Sequence, residues 1–160
     1  MDTGHQISGL PQARLSEAVT LIRGVFLEFV ASGYSNDGIN VFLDFISPEK
    51  LRKRILASEL TLTACFHKGI IIGVIGMEAV GHISLLFVSK KFHRKGIARA
   101  LIESACKPLA GSDIPAITVN SSPYAVEIYK RLGFETTEEE QCLDGIRFTP
   151  MELHLRAENP

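Results

Sequence analysis

The spacing of apolar positions changes twice along this chain, and each change marks a new kind of element. From Pro11 onward, Leu15, Val19, Ile22, Phe26 and Phe29 recur every three or four residues, the signature of a helix with one buried face, and Ser32-Gly33 ends it. A second helical stretch carries Ile39, Phe42, Leu43 and Ile46 and stops before Pro48; a third starts there with Leu51, Ile55 and Leu56. A short strand is expected ahead of them at residues 6–8. The period then drops to that of strands: residues 60–66 and 70–77 are β-rich and are separated by the hairpin-type break His67-Lys68-Gly69. Ala79-Val80-Gly81 breaks the chain again before a strand over His82–Val88.

Helical spacing returns at Ile97, Leu101, Ala105 and Leu109, with Pro108 and Gly111 limiting the helix. A strand at 116–119, a helix at 125–132, and two strands, one from Phe134 onward and one over 146–155, complete the pattern. Strands interrupted by helices, with hairpins in the middle, predict a mixed-sheet α/β (α+β) domain.

Composition narrows the function classes. At 160 residues a single domain is expected, and such a chain buries roughly 70% of the surface that it exposes when unfolded. With 46% hydrophobic and 22% charged residues the chain reads as globular, not disordered. Seventeen basic against eighteen acidic residues give a net charge of −1, which argues against nucleic acid or an anionic membrane as partner. No apolar run approaches the ~18 residues of a membrane span, and the N-terminus lacks a signal peptide's basic and apolar regions, so a cytoplasmic protein is expected. Cys65, Cys106 and Cys142 show neither CxxC nor zinc spacing, so reduced thiols and no metal site are expected.

The most informative segment is the passage from the strand ending Phe87-Val88 into Lys90-Lys91-Phe92-His93-Arg94-Lys95-Gly96 and the helix that follows. A helix N-terminus carries unpaired N–H groups and partial positive charge. Gly96 lets backbone approach a ligand, Ala98 leaves space, and Lys90, Lys91, Arg94, Lys95 and Arg99 add charge. Such a turn suits a pyrophosphate, and equally a solvated basic loop. Neither GxGxxG nor GxxxxGK[ST] is present, so NAD enzymes and NTPases are not expected. Downstream, Ser122-Pro123 reads as a helix start and Gly133 as its stop, with Ala125, Ile128, Tyr129 and Leu132 on one face. Tyr129 therefore points toward the core, where its hydroxyl needs a partner or a ligand.

Taken together, the two segments resemble the GCN5-related N-acetyltransferase superfamily. Its acetyl-CoA motif, [Q/R]-x-x-G-x-[G/A], is matched in its last positions by His93-Arg94-Lys95-Gly96-Ile97-Ala98, with histidine where glutamine or arginine is usual. That departure weakens one side-chain contact and leaves the backbone cradle intact. The family's Tyr-x-x-x-Gly-Phe ending is matched by Tyr129-Lys130-Arg131-Leu132-Gly133-Phe134, and the lead-in from Asn120 to Ala125 is similar to that of many small bacterial members. The resemblance spans almost the whole chain. It implies one acetyltransferase domain over 1–160 with a mostly antiparallel central sheet of about 6–7 strands flanked by helices.

The resemblance also implies roles: backbone groups of Phe87 and Val88 on the pantetheine arm, from a strand splayed away from its neighbour; backbone N–H groups from Arg94 through Lys95, Gly96, Ile97 and Ala98 to Arg99 on the pyrophosphate; Asn120 on the facing strand; and Tyr129 near the sulfur. Acetyl transfer from a thioester needs a neutral amine, an oxyanion donor and a protonated leaving thiol. Val88 N–H is the expected oxyanion donor and Tyr129 the general acid, since a reference pKa of about 10 keeps it protonated. Glu78 or His82, at the ends of neighbouring strands, is the candidate base, with relayed water as the alternative. The acceptor is expected to be the primary amine of a small molecule or peptide. Phe26, Phe29, Tyr34, Phe42 and Phe45 mostly serve the core, with one or two left to line its pocket, and Asp37, Asp44 and Glu28 are candidates to attract it. A homodimer through the edge strands is compatible with an open sheet. The rival readings are a non-catalytic acyl-CoA-binding module of the same fold and a transferase of another acyl group.

Overall fold

The computed structural model describes residues 4–155. One sheet runs through the molecule in the order β1-β2-β3-β4-β5-β8-β6, with β7 hairpinned onto β8. The strands are β1 (His5–Gly9), β2 (Leu60–His67), β3 (Ile70–Glu78), β4 (His82–Val88), β5 (Ala116–Ser121), β6 (Glu135–Thr136), β7 (Gln141–Leu143) and β8 (Ile146–His154). All neighbouring pairs are antiparallel except β4 and β5. The mixed, mostly antiparallel architecture is the one expected, with one more strand, because the stretch from Phe134 to Leu155 folds into three strands rather than two. The extra turn is Asp144-Gly145, both with positive φ (52° and 80°), which lets the chain reverse in two residues.

Among the described residues five α-helices cover the sheet: α1 (Leu15–Val25), α2 (Asn36–Phe45), α3 (Pro48–Leu56), α4 (Ile97–Cys106) and α5 (Val126–Arg131). The first apolar stripe ends differently from a plain helix, because after Val25 the chain widens into a π-turn over Phe26–Val30 before a 3-10 turn at Ala31–Gly33. Ser35 caps α2 by accepting from Gly38 N at 3.1 Å. Ser47 does the same for α3, which has Pro48 in its first turn.

The two faces of the sheet carry separate cores. Leu15, Ala18 and Ile22 of α1 and Leu51 of α3 pack on Leu62, Val74 and Leu85. On the opposite face Ile97, Leu101 and Ile102 of α4 and Tyr129 of α5 pack on Ile75, Ile83 and Val119. Gly73 sets the closeness of α4, since a methyl there would sit 3.1 Å from Leu101 Cδ1 and 3.2 Å from Ile97 Cγ2.

The β7–β8 turn is pinned to the start of α2. Ser35 N donates to Gly145 O at 3.1 Å, and a Cβ on Gly38 would run into that same carbonyl. Alanine normally improves a helix over glycine by about 1 kcal/mol. At Gly38 the sign reverses: Gly38→Ala should cost about 1–3 kcal/mol through overpacking. Thermal unfolding should show it as a melting temperature lowered by several degrees.

Candidate active site

The site begins with a register shift. β3 and β4 pair as Gly76↔Leu85 and then Met77↔Ile83, so Ser84 is an extra residue with no partner across the ladder. A bulge bends its strand and reverses which face each later side chain meets. Accordingly Ile83 sits with the α4 core, while Leu85 and Phe87 turn to the α1 face. On its other side β4 pairs with β5 only at His82↔Thr118 and Ile83↔Val119. Beyond Ser84 the two parallel strands part.

The alternation of hydrogen bonds shows what the gap exposes. Ser89 N donates to Ile72 O at 2.8 Å, so Val74–Phe87 and Gly76–Leu85 are the next bonded pairs, and Leu86 and Val88 turn their N–H and C=O away from β3. On β5, Thr118 N donates to Gly81 O at 3.0 Å, so Asn120, two residues on, aims its backbone at the same gap. Pro150, opposite Asn120 on β8, has no N–H to offer, and its carbonyl accepts from Thr137 N at 2.9 Å instead. The backbone groups facing the gap are thus those of Leu86, Val88 and Asn120. Phe87, expected to contribute its backbone, gives it to β3 and contributes its ring to the wall.

The gap opens into a cavity of about 810 Å³. One end is the turn before α4, where Arg94 (φ 61°) and Gly96 (φ 78°) are both left-handed and fold the chain into a concave arc of N–H groups. The first intrahelical bond is Ala100 N to Gly96 O at 3.1 Å, leaving the N–H groups of the first turn without intrahelical partners. His93 reaches back and places Nε2 2.7 Å from Val88 O, bracing the turn against the open strand. Arg99 donates to Arg131 O at 3.2 Å, tying α4 to the C-terminal end of α5, where a cation is favoured.

Tyr129 is held by the way α5 ends. Phe134 N donates to Tyr129 O at 3.0 Å and Gly133 N to Lys130 O at 3.1 Å, with Gly133 at φ 100°. This is a Schellman cap, and the Tyr129–Phe134 ring contact at 5.2 Å supplies the apolar pairing that goes with it. The Tyr-x-x-x-Gly-Phe spelling is therefore a helix terminator that fixes the Tyr129 ring. Only 6% of the residue is exposed, yet it lines the cavity, and among the described residues its hydroxyl has no hydrogen-bond partner. Burial raises its pKa well above the ordinary value, so it stays protonated.

Of the residues singled out from sequence, Phe87, Val88, His93, Arg94, Gly96, Ile97, Ala98, Arg99, Asn120 and Tyr129 all line this cavity. Lys95 does not; its ammonium lies 5.3 Å over the Phe92 ring. Glu78 and His82 also lie outside. Glu78 is ion-paired with Arg54 of α3. His82 holds Thr118 Oγ1 at 2.8 Å where β4 and β5 are still joined; burial lowers its pKa, and the Glu78 charge opposes that. Sequence reading assigned no role to Ser84, Leu86 or Tyr124. Leu86 and Tyr124 stood inside the quoted segments, but nothing in a single sequence marks a bulge.

Comparison with known proteins agrees with this geometry. A family model described as an acetyltransferase (GNAT) domain matches residues 30–155, and the chain belongs to that family. Among solved structures, a GCN5-related N-acetyltransferase from Rhodopseudomonas palustris superposes with TM-score 0.81 at 15% identity, covering 96% of this chain and 97% of that one. The PaiA N-acetyltransferase of Thermoplasma acidophilum, solved with coenzyme A, gives 0.77 at 21% identity, covering 94% and 99%. At these identities the likeness concerns the fold. A glucosamine 6-phosphate N-acetyltransferase of Trypanosoma brucei brucei is 30% identical over 69 residues, 43% of this chain and 47% of that protein. The chain spans about half the length of the curated relatives it matches, 57% and 47%. Among the described residues no helix is long and apolar enough to cross a membrane, and no cluster of side chains could hold a metal ion.

Gly96 offers a test of the turn. A methyl there would meet nothing within 4 Å, so its cost in the free protein is only the left-handed backbone, about 1–2 kcal/mol. If the turn takes a pyrophosphate, as the family resemblance implies, that open space is where it would lie. Gly96→Ala should therefore remain folded and weaken coenzyme A binding by about 10-fold or more, measured by calorimetric titration.

Proposed function

We propose that this chain transfers the acetyl group of acetyl-CoA to a primary amine. The observation that carries the reading is the parted β4–β5 pair, whose two strands aim backbone N–H and C=O groups at a cavity ending in a left-handed turn and a helix N-terminus. The pantetheine arm of coenzyme A contains two amides, and an extended amide chain completes an unpaired strand edge through main-chain hydrogen bonds. The Arg94–Arg99 turn would take the pyrophosphate. The coenzyme A complex of the Thermoplasma protein and the amine acceptor named for the Trypanosoma relative support the same assignment.

The amine nitrogen attacks the thioester carbonyl, a C–N bond forms, and negative charge collects on the oxygen, for which Val88 N–H is the donor. Collapse breaks the C–S bond. The departing sulfur, whose thiol has a reference pKa near 8.5, takes a proton from Tyr129, which recovers it from water. The proton lost by the amine passes through water toward His82, one residue from the cavity wall. Burial lowers the pKa of that imidazole, against the opposing charge of Glu78, which favours the neutral form that can accept a proton.

Tyr129→Phe tests the acid role without disturbing the helix cap, because the ring contact with Phe134 does not need the hydroxyl. Acetyl-CoA affinity should stay within about 3-fold, while kcat, followed by thiol release, falls by about 100-fold or more. A variant with full turnover would contradict the assignment.

A further inference from the structure

The cavity passes through the sheet, and its two halves differ in chemistry. On the α4–α5 face it is lined by the arginine-bearing turn, Tyr129 and the first turn of α4. On the opposite face the wall is Val25, Phe26, Val30, Tyr34, Phe42 and Phe87. These rings form one cluster: Phe26 stacks on Phe42 at 4.1 Å and lies 5.5 Å from Tyr34, and Phe42 lies 5.9 Å from Phe87. If coenzyme A fills the first half, a second substrate must approach the thioester from this one.

Among the described residues no carboxylate, lysine or arginine belongs to that wall. The three carboxylates that could have drawn in a cation are elsewhere: Glu28 is paired with Lys90 at 3.0 Å, Asp44 with Lys50, and Asp37 is exposed on the first turn of α2. Glu127, the one acidic residue that does line the cavity among those described, belongs to α5 on the other face and pairs with Lys130 at 3.4 Å. The cavity arginines, Arg94, Arg99 and Arg131, also belong to the cofactor half. A phosphate on the acceptor would lose its hydration against aromatic rings without a partner, and a second ammonium would meet ring faces but no carboxylate. Of the hydroxyls that line the cavity, that of Tyr34 belongs to this aromatic wall, and burial keeps it protonated. Tyr34 is held in place, since the next residue, Ser35, is fastened through its N–H to the β7–β8 turn at 3.1 Å.

We infer that the acceptor is a small primary amine carried on an apolar, preferably aromatic, body, rather than a polyamine, an amino-sugar phosphate or a basic peptide. The inference rests on the acetyl-transfer reading and names the substrate class of that site. A flat ring laid against the face of this aromatic wall leaves its single amine directed at the gap between β4 and β5.

The test follows thiol release by the full chain with acetyl-CoA and a panel of acceptors: 2-phenylethylamine, tryptamine, spermidine, an amino-sugar phosphate and a lysine-containing hexapeptide. Coenzyme A binding is titrated separately. The arylalkylamines should exceed every other member in kcat/KM by at least about 10-fold. Phe42→Leu should raise KM for 2-phenylethylamine by about 3–10-fold with coenzyme A affinity unchanged. Preference for spermidine, the sugar phosphate or the peptide would overturn the inference. So would failure to turn over either arylalkylamine while coenzyme A still binds, with the cofactor site left standing. Loss of coenzyme A binding itself would remove the underlying reading and the inference with it.

Discussion

The structure depends on one residue that does not fit its ladder. Ser84 is an extra residue in β4, and the parallel pairing with β5 ends at Ile83, immediately before it. A regular β4 would keep its hydrogen bonds to β5 as far as that strand runs, to Ser121, and close the sheet. The bulge turns the strand away instead, so the backbone groups of Leu86, Val88 and Asn120 face a gap, with only the Val88 carbonyl taken, by His93. Unpaired backbone groups inside a protein call for water or a ligand. Here they line a cavity. The same parity shift sends Phe87 to the α1 face, so one local irregularity shapes both halves of the site.

Everything else holds that gap in position. Gly73 admits α4 close against β3, which sets the height of the Gly96 turn beside the end of β4. His93 then links the turn to Val88 O, and Arg99 links α4 to the last turn of α5. The Schellman cap of α5 fixes Tyr129 on the opposite lip. On the far face the π-turn at Phe26–Val30 crosses the mouth of the gap, where Phe29 stacks on Tyr124 at 5.4 Å and meets His93 at 5.3 Å. The histidine that departs from the family's usual glutamine or arginine thus retains a bracing role through its ring.

Much of this was legible in the sequence because it is carried by local rules. Helical and strand periods mark the elements, and glycine with its neighbours marks the turn before α4 and the end of α5. What stayed hidden depends on pairing between distant segments. Ser84 looks like any polar residue in an alternating strand until β3 sets the register. Phe87 and Leu86 exchange backbone roles for the same reason. The placement of Glu78 was also out of reach, since Arg54 on α3, far away in the chain, claims that carboxylate. The Asp144-Gly145 turn could have been found from its spelling, a common two-residue hairpin turn, but the dense acidic run before it masked the short strands around it.

The account stands on the claim that the parted strands hold the cofactor by their backbones. The most direct measurement is the amide nitrogen–proton correlation spectrum of the labelled protein as coenzyme A is added. The amides of Leu86, Val88, Asn120 and the Gly96–Arg99 turn should move furthest, with Phe87, bonded to β3, moving less than its two neighbours. Changes confined to other strands, or a spectrum unaltered by saturating coenzyme A, would contradict the account.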